Sequence, residues 1–447
     1  MFLYFKVKPK VCKLTYSFNE NEGSVVAQKE DEGNTMPVES GASINEGTKI
    51  IFEATPKDDF SIAGWSLNGK PVNDLNSRYE FEITEDSLVK IDFSNLKYED
   101  DDYFVSFRIE SPITIPIKFD DSKKATITNS FAIAKYELTY NIWYKTYMWA
   151  IENGYTFANA GIAGSKGVEP TDAENGATNK SPIPAHLEVG DERQRQPVTK
   201  ISWRDAIVWC NAYTQMKNDG DVSNCAYLKN KAELIPLKDA TKASECDGVY
   251  FDKTKKGFRL PTEAEWEFAA RWQGENATNA EQYSSSVYLT RVNSASGASL
   301  PVPDEKISLP QGKTYADLNS ETQRFAVYNR WYDGIELQEV EPEVDGPLEV
   351  GSKQANYLGI FDMSGNVYEF CFDVYDGDPK IDDAEYKEGE FVVDPQGSKH
   401  STAQIPGRVR RGGAFTNSAR FSIVGARNEQ APHLANNRIG FRLACSL

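Results

Sequence analysis

The run Gly359-Ile360-Phe361-Asp362-Met363-Ser364-Gly365-Asn366-Val367-Tyr368-Glu369-Phe370-Cys371 constrains this chain more than any other stretch. Asp362, Ser364, Gly365 and Asn366 are turn formers, and Val367-Tyr368-Glu369-Phe370 is β-branched and aromatic, so the run reads as a turn feeding a strand. A solvent-facing loop would not carry so many large apolar side chains, and burial is expected. A carboxylate inside such a run is costly unless it is paired or metal-bound. Glu369 therefore needs a partner: a bound cation, or an arginine such as one of the Arg408–Arg411 run.

Composition narrows the field. A length of 447 residues exceeds one ordinary domain, so two or three are expected. A net charge of −18 argues against nucleic acid as a partner, because that calls for a basic face. No apolar stretch reaches the ~20 residues of a membrane span, and the opening Met1-Phe2-Leu3-Tyr4-Phe5-Lys6 is too short for a secretory h-region. Six cysteines form no CxxC pair and no zinc spacing, and His186, His400 and His433 are scattered, so a histidine-rich metal site is not expected.

From Lys13 to Ser94 short runs alternate apolar and polar: 13–18, 49–54 and 88–93 read as strands, with Trp65 in their core. Tyr98-Glu99-Asp100-Asp101-Asp102 reads as an acidic linker, and 103–119, with Pro112 and Pro116, as an edge strand or connector. Phe131 to Thr139 is strand-like, and 142–151 is an aromatic-rich helix. Thr156 to Arg195 is a long surface loop. Ser202 with Asp205, and Thr262 with Glu265, have capping-box spacing and open two further helices. From Gln273 to Leu348 periodicity fades. The expected architecture is α+β: a small all-β module over 1–97, an acidic linker with connector strands over 98–126, and a large domain over 127–447.

Four ordered motifs carry a family resemblance: Pro197-Val198-x-x-Ile201-Ser202-Trp203, Phe258-Arg259-Leu260-Pro261-Thr262-Glu263-Ala264-Glu265-Trp266-Glu267, the Asp362-Met363-x-Gly365-Asn366-Val367-x-Glu369 run, and Arg411-Gly412-Gly413 followed by Gly440-Phe441-Arg442. With the strand opening at Phe131 they resemble the formylglycine-generating, or sulfatase-modifying factor, domain. The resemblance implies a C-type-lectin-like fold. In the N-terminal module, Gly47-x-x-Ile50-x-Phe52-x-Ala54-Thr55-Pro56 followed by Gly64-Trp65 resembles internalin B-repeat-type β domains of bacterial surface proteins.

The family's enzymes oxidise a substrate cysteine with a cysteine pair that holds Cu(I) shortly after the Arg-Gly-Gly motif, thiolates and Cu(I) both being soft. By register Asn417 and Ser422 fall near those two positions. Amide and hydroxyl oxygens do not replace thiolates, so copper, a catalytic residue and formylglycine generation are not expected. The family's iron-dependent branch needs a His-rich helical bundle, which is absent. The resemblance also implies a structural Ca²⁺ held by the side chains of Asp362 and Glu369 and the carbonyls of Gly365 and Val367, hard oxygen donors that suit this ion. Cys225 and Cys246 allow either a disulfide in an exported protein or two free buried thiols. Cys210 and Cys371 read as small core residues.

The remaining candidate site is the C-terminal segment. Among scaffold-like positions it carries Phe415, Thr416, Asn417, Ser418, Phe421, Ile423, Asn428, Glu429, His433, Leu434, Asn436, Asn437 and Arg438. Amides and hydroxyls that bond adaptably, interleaved with aromatic and arginine side chains, are the material of binding surfaces. The arrangement resembles the variable proteins of diversity-generating retroelements, treponemal ones above all, which diversify this region on the same lectin-like fold. The expected function is that of a non-enzymatic binding protein at the cell envelope. Its ligand would be a protein or glycan, and its leader is absent from this sequence. An enzyme of the superfamily with another activity, a structural accessory protein, and a cytoplasmic location are the alternatives.

Overall fold

The computed structural model describes residues 10–31, 34–57, 61–72, 77–94, 103–109, 111–117, 120–172, 180–188, 191–284, 287–375, 391–397 and 406–447. Two compact units divide near residues 101 and 102; the acidic run 98–102 lies outside the described residues.

In the first unit the alternating runs form two sheets. One orders strands Ala42–Asn45, Val11–Ser17, Ser87–Ser94, Ser61–Leu67 and Lys70–Val72; the other orders Asn34–Pro37, Gly23–Asp31, Lys49–Pro56 and Arg78–Glu82. Alternation by two sends Leu14, Ile50, Phe52, Val89 and Ile91 inward. Trp65, 2% exposed, meets Phe52 edge-on at 6.1 Å, as its expected core role requires.

The second unit takes in the strands expected to be connectors. Phe104–Phe107 is an edge of a four-stranded sheet with Phe131–Ala134, Ala444–Ser446 and Phe258–Arg259. Ile113–Ile117, carrying Pro116, pairs with Asp120–Ile127, which also takes up Phe391–Val393. Ile115, Ile117, Ala125 and Ile127 are buried in the main core with Trp266 and Phe268. The large unit therefore starts near residue 102 and not at 127, because this buried apolar face has to be covered.

Among the described residues five α-helices lie in this unit: α1 (Tyr140–Glu152), α2 (Trp203–Lys217), α3 (Ala243–Asp247), α4 (Glu263–Arg271) and α5 (Tyr315–Phe325). The capping boxes form as the spacing requires. Ser202 N donates to Asp205 Oδ2 at 3.0 Å and Asp205 N to Ser202 Oγ at 3.1 Å. Thr262 and Glu265 exchange the same pair of bonds. Helix α5, not foreseen in the fading stretch, opens on a third box of Thr314 and Asp317. Helices α1 and α2 stack Trp143 on Trp209 at 5.6 Å, and Phe441 meets both rings edge-on.

The sheet that carries the C-terminal segment orders Arg427–Gln430, Arg408–Arg411, Tyr368–Val374 and Ile439–Gly440. It is tied to α4 by buried charges. Arg411 Nη2 donates to Glu267 Oε2 at 2.6 Å, Glu267 also pairs with Arg271 at 3.0 Å, and Arg427 grips Glu263 through two bonds of 2.8 and 2.6 Å. Removing one partner of such a pair strands the others in the core. Glu267→Gln is expected to cost about 3 kcal/mol in urea unfolding; a cost under about 1 kcal/mol would mean that packing alone holds this sheet to α4.

A second series separates scaffold from surface around residues 413–441. Gly413 has φ +82°, and a Cβ there would stand 2.5 Å from the Phe421 carbonyl oxygen. Gly413→Val combines strain and overlap and is expected to cost about 3 kcal/mol or more. Phe441→Ala opens a cavity beside two tryptophans and is expected to cost roughly 3–5 kcal/mol. Leu434, 49% exposed, is expected to change stability by under about 0.5 kcal/mol as Leu434→Ala, and half-buried Phe421→Ala by about 1 kcal/mol. A loss above about 2 kcal/mol for either of the last two would place the segment in the core.

Candidate functional site

The Asp362–Glu369 turn is built from left-handed backbone. Asp362, Gly365 and Asn366 have φ of +59°, +77° and +57°. At Gly365 a Cβ would stand 2.2 Å from the Val327 carbonyl oxygen, so only glycine fits. Glu369 is fully buried and does have an arginine partner, but that partner is Arg442 and not one of Arg408–Arg411. Arg442 Nε and Nη2 each donate to it at 2.6 Å, and Trp266 Nε1 adds a bond of 2.8 Å.

Two further carboxylates close on the same turn. Glu137, from the strand-like opening of the domain, accepts from Asn366 Nδ2 at 2.6 Å and from Val367 N at 3.1 Å. Asp362 accepts from Gly351 N at 2.7 Å. Burial, with Asp362 and Glu369 nearby, pushes Glu137 well above the ordinary carboxylate range, and burial pushes Asp362 up to about 6. Three buried carboxylates thus face one buried guanidinium, with the half-buried Lys353 near Asp362. The donors are all oxygens and negative charge is in excess, which fits a hard divalent cation in kind and in charge. Among the described residues no three Asp, Glu, His or Cys side chains converge closely enough to hold a metal by themselves. A cation here would therefore rest on the Gly365 and Val367 carbonyls as well, and Glu369 would share itself with Arg442. Glu137 was not foreseen as part of this site, although its strand motif was in plain view.

The C-terminal segment divides into anchors and surface. Phe415 is 5% exposed and Ile423 is 7% exposed and packs in a core cluster with Phe325 and Tyr328, so these two candidate ligand residues are corrected to anchors. Thr416, Asn417, Ser418 and Phe421 line a cavity of about 250 Å³ with Arg330, Tyr332, Leu337 and Arg420; Pro303, Asp304 and Glu305 complete its lining. Asn417 also shapes the loop: its Oδ1 accepts from Ala414 N at 3.0 Å and its carbonyl from Asn329 N at 3.0 Å. Ser422 is fully buried and its Oγ has no partner among the described residues. The two positions in register with the family's thiolates are thus one turn-forming amide and one buried hydroxyl.

Asn428 and Glu429 lie on the Arg427–Gln430 strand, half-buried and exposed respectively, and His433, Leu434, Asn437 and Arg438 are exposed. Asn436 is half-buried and shapes the local turn, its Oδ1 accepting from Arg438 N at 3.0 Å. Arg438 Nη1 reaches Thr416 Oγ1 at 3.4 Å and so links this strand face to the cavity rim. Arg330, Tyr332 and Leu337 reach the cavity from a hairpin 330–339 that carried no sequence signal. All six cysteines are buried free thiols. Burial pushes Cys225 and Cys246 up to about 12, far from thiolate chemistry at neutral pH.

Comparisons with known proteins agree with this architecture. The family model of the sulfatase-modifying factor enzyme 1-like domain matches residues 117–447. Chaperone protein LppX of Paenibacillus barcinonensis is 29% identical over 194 residues, which cover 41% of this chain and 54% of that protein. The formylglycine-generating enzyme of Thermomonospora curvata is 28% identical over 194 residues, covering 43% of this chain and 50% of the enzyme. The chain thus spans about half the length of the curated relatives it matches. Among solved structures, Treponema denticola variable protein 1 aligns over 77% of this chain and 95% of its own, with 22% identity and a TM-score of 0.46. CarF aligns over 77% and 98%, with 20% identity and a TM-score of 0.45. On the match over residues 117–447, the chain belongs to the sulfatase-modifying factor enzyme 1-like domain family, with the C-type-lectin-like fold of that family behind a separate small β module.

Proposed function

We propose that the protein is a non-enzymatic member of its family that binds a ligand at the face formed by residues 416–421 and 428–438 and displays it at the cell envelope. The observation that carries this reading is the division of labour along the segment. Gly413, Phe415, Ile423 and Phe441 fix the backbone, while polar and aromatic side chains between them point outward around a cavity large enough for a side chain or a sugar. A rigid scaffold that presents adaptable side chains suits recognition. Such a face is also where sequence diversification would cost least stability, and a reverse transcriptase with a near-copy of the 3′ coding end in the neighbouring DNA would support that origin.

The competing reading is an oxidase of the formylglycine-generating type, favoured by the likeness to the Thermomonospora curvata enzyme. Asn417 and Ser422 argue against it, since neither offers the thiolate that Cu(I) requires. Incubating the full chain with Cu(I), O₂ and a peptide bearing a sulfatase motif is expected to leave the peptide cysteine intact by mass spectrometry. Aldehyde on the peptide at catalytic turnover would overturn the non-enzymatic reading.

We also propose a structural Ca²⁺ at the turn, held by Asp362 and Glu369 with the carbonyls of Gly365 and Val367, while the carboxylate of Glu137, bonded to Asn366 and Val367, adds negative charge beside them. The ion's part is to offset the buried negative charge that the turn gathers. A ligand that binds only the folded state stabilises by linkage, by about 3 kcal/mol at a hundredfold excess over its dissociation constant. Adding EDTA is expected to lower the thermal midpoint by several degrees, added Ca²⁺ to restore it, and Glu137→Gln to weaken the response. An unchanged midpoint with no calcium by elemental analysis would leave the turn held by hydrogen bonds and Arg442 alone.

A further inference from the structure

Among the described residues the arginines around this face form no ion pair, in a chain whose net charge is −18. Arg410 stands on the outward side of its strand. Its guanidinium lies 4.3 Å from the centre of the buried Tyr368 ring, and Asn428 is its cross-strand neighbour. Its Nε is buried without a hydrogen-bond partner, and among the described residues it forms no ion pair. The nearest charges are Arg438, which repels it, and Glu429, beyond pairing distance. Arg438 follows directly in space: its carbonyl accepts from Tyr368 N at 2.9 Å, and its side chain makes only long contacts of 3.4 Å to Asn436 and Thr416. Past Thr416 the cavity adds Arg330 and Arg420, neither in an ion pair among the described residues, with Asp304 and Glu305 also in the lining.

This contrasts with most buried arginines of the same unit; the exception is Arg408, which forms no ion pair among the described residues and lies 3.7 Å from the centre of the Trp203 ring. Arg259, Arg271, Arg411, Arg427 and Arg442 each meet a carboxylate at 3.0 Å or less. A half-buried guanidinium with an unsatisfied Nε, next to a second one, has given up hydration without a counter-charge. A carboxylate arriving from outside would meet the planar fork of Arg410 and the exposed fork of Arg438 together.

We propose that Arg410 and Arg438 form the anion-receiving part of the binding face and that the ligand is a protein segment bearing carboxylate side chains. This deepens, and rests on, the binding-face reading above. The protein class is favoured over an acidic glycan by what surrounds the arginines. Exposed Leu337 and Leu434, 51% and 49% accessible, offer aliphatic contact. Two of the aromatic rings nearby are covered instead of open for sugar stacking: Tyr368 lies under Arg410, and Arg420 lies 4.7 Å over Phe421. The long-range repulsion from an acidic chain is screened beyond about 8 Å at physiological ionic strength, so a local arginine pair can still capture an acidic segment.

The test uses the full chain and a fluorescein-labelled peptide of alternating Glu and Leu, read by fluorescence anisotropy, with the same peptide carrying Gln for Glu and a sulfated dextran oligosaccharide as the other arms. Saturable binding of the Glu peptide is expected, weakened about tenfold by Arg410→Gln and by Arg438→Gln, weakened by raising salt, and lost with the Gln peptide. Lys49→Gln, in the β module, is expected to leave it unchanged. Arg438→Gln is an exposed change, so it remains informative if Arg410→Gln fails to fold. Equal affinity of wild type and Arg438→Gln, no binding of the Glu peptide, or tighter arginine-dependent binding of the sulfated oligosaccharide would each overturn the inference. None of these outcomes decides between binding protein and enzyme, which the aldehyde assay does separately.

Discussion

The ion pair between Glu369 and Arg442 is the point on which the large unit depends. Its guanidinium does more than meet the carboxylate. Nη1 donates to the Ala134 carbonyl and Nη2 to the Phe361 carbonyl, each at 2.9 Å. One side chain near the C-terminus therefore joins the opening strand, the tight turn and the strand that follows it. Dehydrating both charges costs several kcal/mol, and such a pair breaks even only when its remaining donors and acceptors are met. Here they are, down to the Trp266 indole N–H on Glu369. The arrangement specifies position more than it adds stability, since a lectin-like unit with short strands and long loops has few other devices for fixing where those loops cross.

How much of this was legible follows from distance along the chain. The capping boxes at Ser202 and Thr262 are three-residue devices, so the helices they open could be placed from sequence. That Glu369 needs a partner was equally local, a matter of one carboxylate in an apolar run. Which arginine it takes was not. Glu369 sits directly across from Arg411 in strand register, yet Trp266 comes between them, its N–H on Glu369 and its ring 4.9 Å from the Arg411 guanidinium. Arg411 is thereby turned to Glu267, and Arg442 is left for Glu369. Only a packed tryptophan from α4 decides this exchange.

The proposed binding face was legible in part and for a reason that explains its errors. Residues 414–426 wind through tight turns and a three-residue 3₁₀ helix, Ala419–Phe421. No period of two or 3.6 therefore sorts inside from outside, and Phe415 and Ile423 could not be told apart from Phe421 by type. Helix α5 was missed for the opposite reason: its sequence, Tyr-Ala-Asp-Leu-Asn-Ser-Glu-Thr-Gln-Arg-Phe, buries only a narrow stripe that includes Leu318, Thr322 and Phe325. Residues 103–119, with Pro112 and Pro116, read as an edge strand or connector, and Ile113–Ile117 does lie at a sheet edge, where proline is tolerated; that these strands belong to the large unit was not local information.

The Arg408–Arg411 run shows how one short strand serves both purposes. Successive side chains leave a strand on opposite faces. Arg411 goes inward to the Glu263 and Glu267 array, while Arg408 and Arg410 share the other face. Arg408 is roofed there by Trp203, its guanidinium 3.7 Å from the ring, and burial pulls it down to about 10. Two residues further along the roof ends, and Arg410 has only Tyr368 beneath it. The buried pairing and the recognition proposed for Arg410 are thus separated by a single strand repeat of about 7 Å. The positions that must stay charged for the core to close alternate with, or lie beside, those proposed to meet a ligand. Substitution of the outward residues would leave intact the buried pairs that hold the strand in place.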